Sequence, residues 1–267
     1  MRSMHLGIPL WIMLNLNKNM TISKIISVAI LFAAFALGSC SKDDEKEDNK
    51  KNVDDVEVNI IDGHEYVDLD LPSGTLWATC NVGAEKPEEY GDYFAWGETK
   101  TKENYDWSTY KWCNGSEYEL TKYCVSGRYG TVDNKTELLP EDDAATANWG
   151  SNWCMPTVEQ IEELHRYAKL ENTTQNGVSG LKITGRTYGK SIFLPDCGWR
   201  DGTTISSAGS EGGYWSRSIN ADPADHYAHD VAYAHYSSSA TIWAEDDRYR
   251  GFAIRPVCSK INRNNRK

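Results

Sequence analysis

The chain is predicted to fold as an α+β domain behind an export leader and a tether, and three observations predict it. From Ile60 onward, short strand-like runs are broken repeatedly by Gly, Asn and Asp. One stretch after Pro156 has both a helix-start signal and an apolar face at helical period. Ahead of both, an apolar run ends in Leu37-Gly38-Ser39-Cys40 and passes directly into Ser41-Lys42-Asp43-Asp44-Glu45.

The leader covers residues 1–39, with Met20 the expected start. Thr21 to Lys24 supply a short positive region, and Ile25 to Leu37 form an apolar run of secretory length, too short to span a bilayer comfortably. A transmembrane helix from Leu6 is the alternative, but Asn15, Asn17, Lys18 and Asn19 interrupt it. Small residues at Gly38 and Ser39 suit an extended fit in a peptidase cleft, and the Cys40 thiol can take a thioether-linked diacylglycerol. The pattern resembles the lipobox of bacterial lipoproteins. It implies a membrane anchor of fatty-acyl chains such as palmitate, each buried methylene worth about 0.8 kcal/mol.

Residues 40–59 read as an acidic flexible tether. Ser41 to Asp55 is dense in Lys, Asp, Glu and Asn and has no aromatic residue, so it cannot bury enough surface to fold. Its opening, Ser41, Lys42, Asp43, Asp44 and Glu45, resembles the acidic export signal of Bacteroidetes lipoproteins. That resemblance implies the outer face of the outer membrane, a plain solvated linker being the alternative.

The folded part is expected over residues 60–258, long enough for a single core, with a basic tail over 259–267. A net charge of −11 excludes nucleic acid as a partner, since phosphate recognition needs stripes of Lys and Arg. The 10 Trp and 15 Tyr against 5 Phe favour amphipathic rings, which stack on sugar faces, fill protein interfaces and also close small cores. Besides Cys40 there are six cysteines, which allow fifteen pairings. Cys113 with Cys124 closes the shortest local loop. No Cys-x-x-Cys or His-x-x-x-His spacing is present, so neither a metal site nor a cofactor is expected.

In chain order, strands are predicted at Tyr66 to Leu69, Thr75 to Cys80 and Tyr93 to Trp96. A short helix is predicted over Glu141 to Asn148, where Asp142 and Asp143 suit the positive end of the dipole. The main helix starts at Thr157, which stands in capping-box spacing with Gln160, and aligns Val158, Ile161, Leu164 and Ala168 on one face. Further strands are predicted at Leu181 to Thr184, Ser191 to Leu194, Gly213 to Ser216, His226 to Tyr233, Thr241 to Trp243 and Gly251 to Val257. The adjacent acids Asp142-Asp143 and Asp246-Asp247 read as solvated loop charges, not as the facing pair a glycosidase needs.

The segments Leu71-Pro72-Ser73-Gly74-Thr75-Leu76-Trp77-Ala78-Thr79-Cys80, Tyr93-Phe94-Ala95-Trp96-Gly97-Glu98 and Trp153-Cys154-Met155-Pro156-Thr157 resemble the Fibrobacter succinogenes major paralogous domain. Gly198-Trp199-Arg200-Asp201-Gly202, Gly213-Tyr214-Trp215-Ser216 and the closing Arg248 to Val257 follow in the same order. Cys154 departs from the Arg that is frequent in that family. The resemblance implies a C-type-lectin-like domain, in which a twisted antiparallel sheet sits beneath long irregular loops. The Glu-Pro-Asn, Gln-Pro-Asp and Trp-Asn-Asp elements of a calcium-dependent sugar site are missing, so such a site is not expected.

Recognition chemistry concentrates in His226 to Arg250. Alternation on a strand would put Tyr227, His229, Val231, Tyr233 and His235 on one face, with Ala228, Ala232 and Ala234 on the other. Tyr227, His229, Tyr233, His235, Trp243, Arg248 and Tyr249 are therefore the candidate ligand-binding residues. Packing of these rings against the underside of the sheet is the bland alternative. The same place holds the variable segment of C-type-lectin-like proteins altered by diversity-generating retroelements, and the composition here is similar. The expectation is a non-catalytic surface module that adheres to or recognises a glycan or protein. A structural subunit of a surface assembly is the first alternative. A catalyst similar to formylglycine-generating enzymes, which would need a cysteine pair such as Cys197 and Cys258, is the second.

Overall fold

Short strands alternate with long irregular chain in a computed structural model that describes residues 59–185, 189–219, 231–235 and 244–259, with backbone alone for 231–235, 244–245 and 259. All of them belong to one compact unit running from Val56 to Lys267. The leader, most of the tether and nearly all of the basic tail lie outside the described residues, and with them Cys40, Ser41, Lys42, Asp43, Asp44 and Glu45. Among the described residues no helix is long and apolar enough to cross a membrane.

In chain order the elements are β1 (Ile60–Ile61), β2 (His64–Asp68), β3 (Thr75–Ala78), α1 (Ala144–Trp149), α2 (Val158–Tyr167), β4 (Ala168–Gln175), β5 (Val178–Gly185) and β6 (Ser191–Pro195). There follow β7 (Trp199–Asp201), β8 (Thr204–Ser206), β9 (Gly213–Ile219), β10 (Val231–His235), β11 (Ala244–Asp246) and β12 (Val257–Ser259). The strands pair antiparallel in four small sheets, ordered β1-β2-β3-β12, β11-β10-β9, β4-β5-β6 and β7-β8. This is an α+β architecture, mostly antiparallel sheet with two helices.

The predicted capping box forms. Thr157 Oγ1 accepts from the Gln160 N–H at 3.2 Å, and the Gln160 side chain accepts from the Thr157 N–H at 2.9 Å. Ile161 and Leu164 are buried on this face and Val158 is half-buried, whereas Ala168, predicted to continue the face, is buried as the extended residue that ends the helix and begins β4. The shorter helix is narrower than predicted: Pro140–Asp142 form a 3-10 turn, and Asp143 caps α1 by accepting from the Thr146 N–H at 3.0 Å. Asp142 and Asp143 are each only 2% exposed, so they are buried structural groups, not the solvated charges their sequence context predicts.

Of three buried clusters among the described residues, two lie on either side of a central layer, the first rich in aromatic rings and the second mainly aliphatic, while Tyr93, Tyr105, Tyr110 and Tyr129 gather in the third. On β3, Leu76 and Ala78 enter one core and Trp77 the other, so all four residues of the strand are buried. The same alternation recurs on β9, where Trp215 joins the first core and Tyr214 the second, and again where Phe252 and Ile254 face the first and Ala253 and Val257 the second. The predicted strand from Gly251 to Val257 is thus extended chain. It makes isolated bridges at Phe252 and Ala253 and becomes regular only at β12, which pairs with β3. Tyr93 to Trp96 likewise makes one bridge, Phe94 to Phe252, in place of a strand.

The Trp and Tyr excess has a structural cause. Between β3 and α1 about sixty residues run without a regular strand, and their buried carbonyls need donors. Indoles supply some of them: Trp215 Nε1 donates to Phe94 O at 2.7 Å and Trp112 Nε1 to Gly97 O at 2.8 Å. Phenols do the same, Tyr105 to Tyr93 O at 2.6 Å and Tyr110 to Trp96 O at 2.9 Å. Phe fills the same volume but has no such donor.

Candidate functional site

The described part of the predicted recognition segment meets a second loop at Tyr249. That loop is a tight turn over residues 104–109. Asp106 Oδ1 accepts from Ser108 Oγ at 2.6 Å and from the Thr109 N–H at 3.0 Å, while Asn104 Nδ2 donates to Asp106 Oδ2 at 2.6 Å. These bonds, with Ser108 first, hold the Asp106 carboxyl below its usual range. Reciprocal backbone bonds between Tyr105 and Gly202, at 2.9 and 2.8 Å, fix the turn to the β7–β8 hairpin. The turn presents Trp107, half-buried, with its ring centroid 5.2 Å from that of Tyr249 and the planes inclined at 64°. Tyr110 packs edge-on against Trp107 at 5.6 Å.

A charged group adjoins this aromatic pair. Arg250 Nη1 lies 3.0 Å from Asp246 Oδ1, and its Nη2 lies 3.4 Å from Asp201 Oδ2. The guanidinium carbon is 5.9 Å from the centre of the Tyr249 ring. Burial raises the Asp246 carboxyl above its usual range, against the pull of Arg250. Two backbone bonds between Arg200 and Gly251, at 2.7 and 3.0 Å, fix the spacing of the two chains. The approach needs glycine at 251, because a Cβ there would come within 2.6 Å of Tyr105 Cε1. Both rings pack against the cluster of Tyr93, Tyr105 and Tyr110 and are partly exposed beside an anchored guanidinium and two carboxylates, a group that can stack on a flat apolar face and exchange hydrogen bonds with hydroxyl, amide or carboxylate groups around it.

The remaining predicted site residues fare differently. Tyr227, His229 and Trp243 lie outside the described residues. Tyr233 and His235 lie on β10, whose backbone pairs Tyr233 with Trp215 and His235 with Gly213, and a register shift falls between Val231 and Tyr233. The extra residues of that shift lie on β9, four steps from Trp215 to Ile219 against two on β10. Arg248 is corrected. It is fully buried, donates from Nη1 to Tyr123 O at 2.9 Å and lies 5.3 Å from the Trp96 ring, so its charge serves the core and is not presented to a ligand.

Cys113 and Cys124 are free thiols. Cys113 Sγ donates to Trp107 O at 3.1 Å and Cys124 Sγ to Ser126 O at 3.1 Å, each held by its own loop. Cys197 and Cys258 are buried in different cores, and burial pushes their thiols up to about 11 and about 12. Among the described residues no group of three or more His, Cys, Asp and Glu side chains is placed to hold a metal ion.

Sequence reasoning passed over Trp107, Asp201 and Arg250 as site residues. The signal for Trp107 was the Asn104-x-Asp106-x-Ser108-Thr109 pattern, in which a carboxylate capping its own turn leaves the intervening ring outside. No family model matches the chain, and neither a curated protein nor a solved structure matches it.

Proposed function

We propose that this protein is a non-catalytic recognition module for a glycan or protein ligand, held on the outer membrane by a lipid on Cys40 and facing outward. Its folded part is read as C-type-lectin-like. The antiparallel pairing of β12 with β3, and the long irregular span from Cys80 to Leu139, support that reading. The observation that carries the recognition role is the Trp107–Tyr249 edge pair beside Arg250, with two carboxylates fixing the guanidinium. Rings without such a polar neighbour would be ordinary core, whereas this group combines a stacking surface with directional donors and acceptors.

In a screen of the intact protein against glycans and host proteins, Trp107→Ala and Tyr249→Ala are each expected to weaken binding about tenfold or more, equivalent to about 1.4 kcal/mol. Unchanged affinity in both variants would remove the site. The anchor is tested separately: Cys40→Ala is expected to release the protein from the membrane fraction, and an N-terminal peptide without acyl mass in the unaltered chain overturns the localisation.

A further inference from the structure

The edge strand β4 is eight residues long and pairs with β5 along its whole length without a bulge. Edge strands are usually short, bulged or guarded by Pro and charge, because their free N–H and C=O groups template pairing with another chain. Here Lys169, Glu171, Asn172, Thr173 and Thr174 are exposed, and among the described residues no backbone hydrogen bond reaches the outer side of β4 beyond its first residue.

The turn at the end of the hairpin determines which groups face outward. Asn176 and Gly177 both have positive φ, 49° and 84°, and Gln175 pairs with Val178, the geometry of a two-residue type I′ turn. In such a hairpin the flanking pair exchanges both hydrogen bonds, and bonded pairs then alternate. Thr173, Glu171 and Lys169 therefore bond inward to β5, while Thr174, Asn172, Leu170 and Ala168 turn their N–H and C=O groups out. Ala168 agrees with this count, since its N–H is given to Leu164 O at the end of α2.

We propose that this edge is the pairing surface for a second copy of the chain, antiparallel about a twofold axis at Leu170. In that register Leu170 bonds to its own counterpart, and the Asn172 N–H donates to Ala168 O of the other copy, the Ala168 N–H staying with Leu164 O at the end of α2. Lys169 faces Glu171 of the other copy in a non-hydrogen-bonded pair, where side chains approach most closely. Lys169 Nζ and Glu171 Oε2 already lie 3.0 Å apart on one face of the strand, so the axis assembles four charges of alternating sign. An axis at Asn172 would instead set Lys169 against Gln175 and Glu171 against Thr173, leaving both charges unmatched. The two three-stranded sheets become one continuous six-stranded sheet. This surface is independent of the recognition site at Tyr249.

Sedimentation of the full chain in detergent is expected to show a dimer. Lys169→Glu is expected to weaken it about tenfold or more, and Lys169→Glu combined with Glu171→Lys to restore it. Leu170→Cys is expected to form an intermolecular disulfide on mild oxidation, mapped by mass spectrometry against the native thiols, because self-paired residues on the axis lie within disulfide reach. A monomer at about 100 µM, which is weaker than about 5.5 kcal/mol of association, overturns the proposal. So does cross-linking through Asn172→Cys but not Leu170→Cys, or a dimer indifferent to both charge changes.

Discussion

Replacing Arg255 with Met is expected to cost about 3–5 kcal/mol of stability, most or all of the margin of an ordinary domain. Arg255 is 1% exposed. Its Nε donates to Asn81 Oδ1 at 2.9 Å, its Nη1 to Ala78 O at 3.2 Å and its Nη2 to Phe193 O at 2.9 Å. One planar fork thus ties β3, the loop after it and β6 to the closing segment of the chain. Met fills much of the volume but leaves these three acceptors without their donor in a place closed to water, and each unsatisfied group carries a penalty of about 1–3 kcal/mol. Lys keeps the charge but presents a point instead of a fork, so Arg255→Lys is expected to recover little. With a urea slope of about 2 kcal/mol/M, the unfolding midpoint of the Met variant should fall by about 2 M. Asn81→Ala gives an internal check: it should cost less alone than Arg255→Met and less again in the Arg255→Met background, because both changes break the same bond, while the Asn81 Nδ2 bond to Tyr90 O at 2.9 Å is lost in either background. A Met variant whose midpoint barely moves would mean that the fork is not what joins these segments.

What the sequence made legible follows from where its residues are constrained locally. The capping box at Thr157 and Gln160 is a contact between near neighbours, so spacing alone disclosed α2. β5, β6 and β9 were readable because their buried faces force apolar runs such as Ser191–Pro195. β4 was not. Its Ala-Lys-Leu-Glu-Asn-Thr-Thr-Gln alternates only over the first four residues and is polar and exposed after them, and it is a strand chiefly because β5 and the Asn176-Gly177 turn fold back on it. The recognition cluster was half legible. Tyr249 stood out in an aromatic segment, but its neighbour Trp107 comes from a loop more than a hundred residues earlier, brought in by bonds from Tyr105 to Gly202. Arg248 was misread for the same reason: nothing local distinguishes an Arg that points to Tyr123 O from one that points to solvent.

Asp142 and Asp143, adjacent in sequence, are expected to give opposite responses to acid. Burial works against the Asp142 charge, but hydrogen bonds from Lys122, Tyr123 and Lys111 outweigh it and hold the carboxyl below its usual range. The Tyr123 hydroxyl donates at 2.7 Å and Lys111 Nζ at 3.3 Å. A folded-state value below the unfolded one contributes stability above about pH 4 that is lost as pH falls through the depressed value. Asp142→Asn should therefore cost about 1–3 kcal/mol near neutrality, and its deficit against the unaltered protein should shrink on acidification. For Asp143 burial is again the largest influence, and here it prevails over the N–H groups of Thr146, Met155 and Ala145, so the carboxyl lies above its usual range. The sign then reverses: the folded protein takes up this proton before the unfolded chain does, and the resulting stability is present at low pH and lost as pH rises through the raised value. Asp143→Asn removes that gain, so its deficit should widen on acidification while that of Asp142→Asn narrows. Urea unfolding of both variants and the unaltered protein between about pH 7 and pH 3.5 measures the two differences directly. If they move in the same direction, burial does not govern Asp143, and the capping carboxylate of α1 is ionised in the fold as readily as in the unfolded chain.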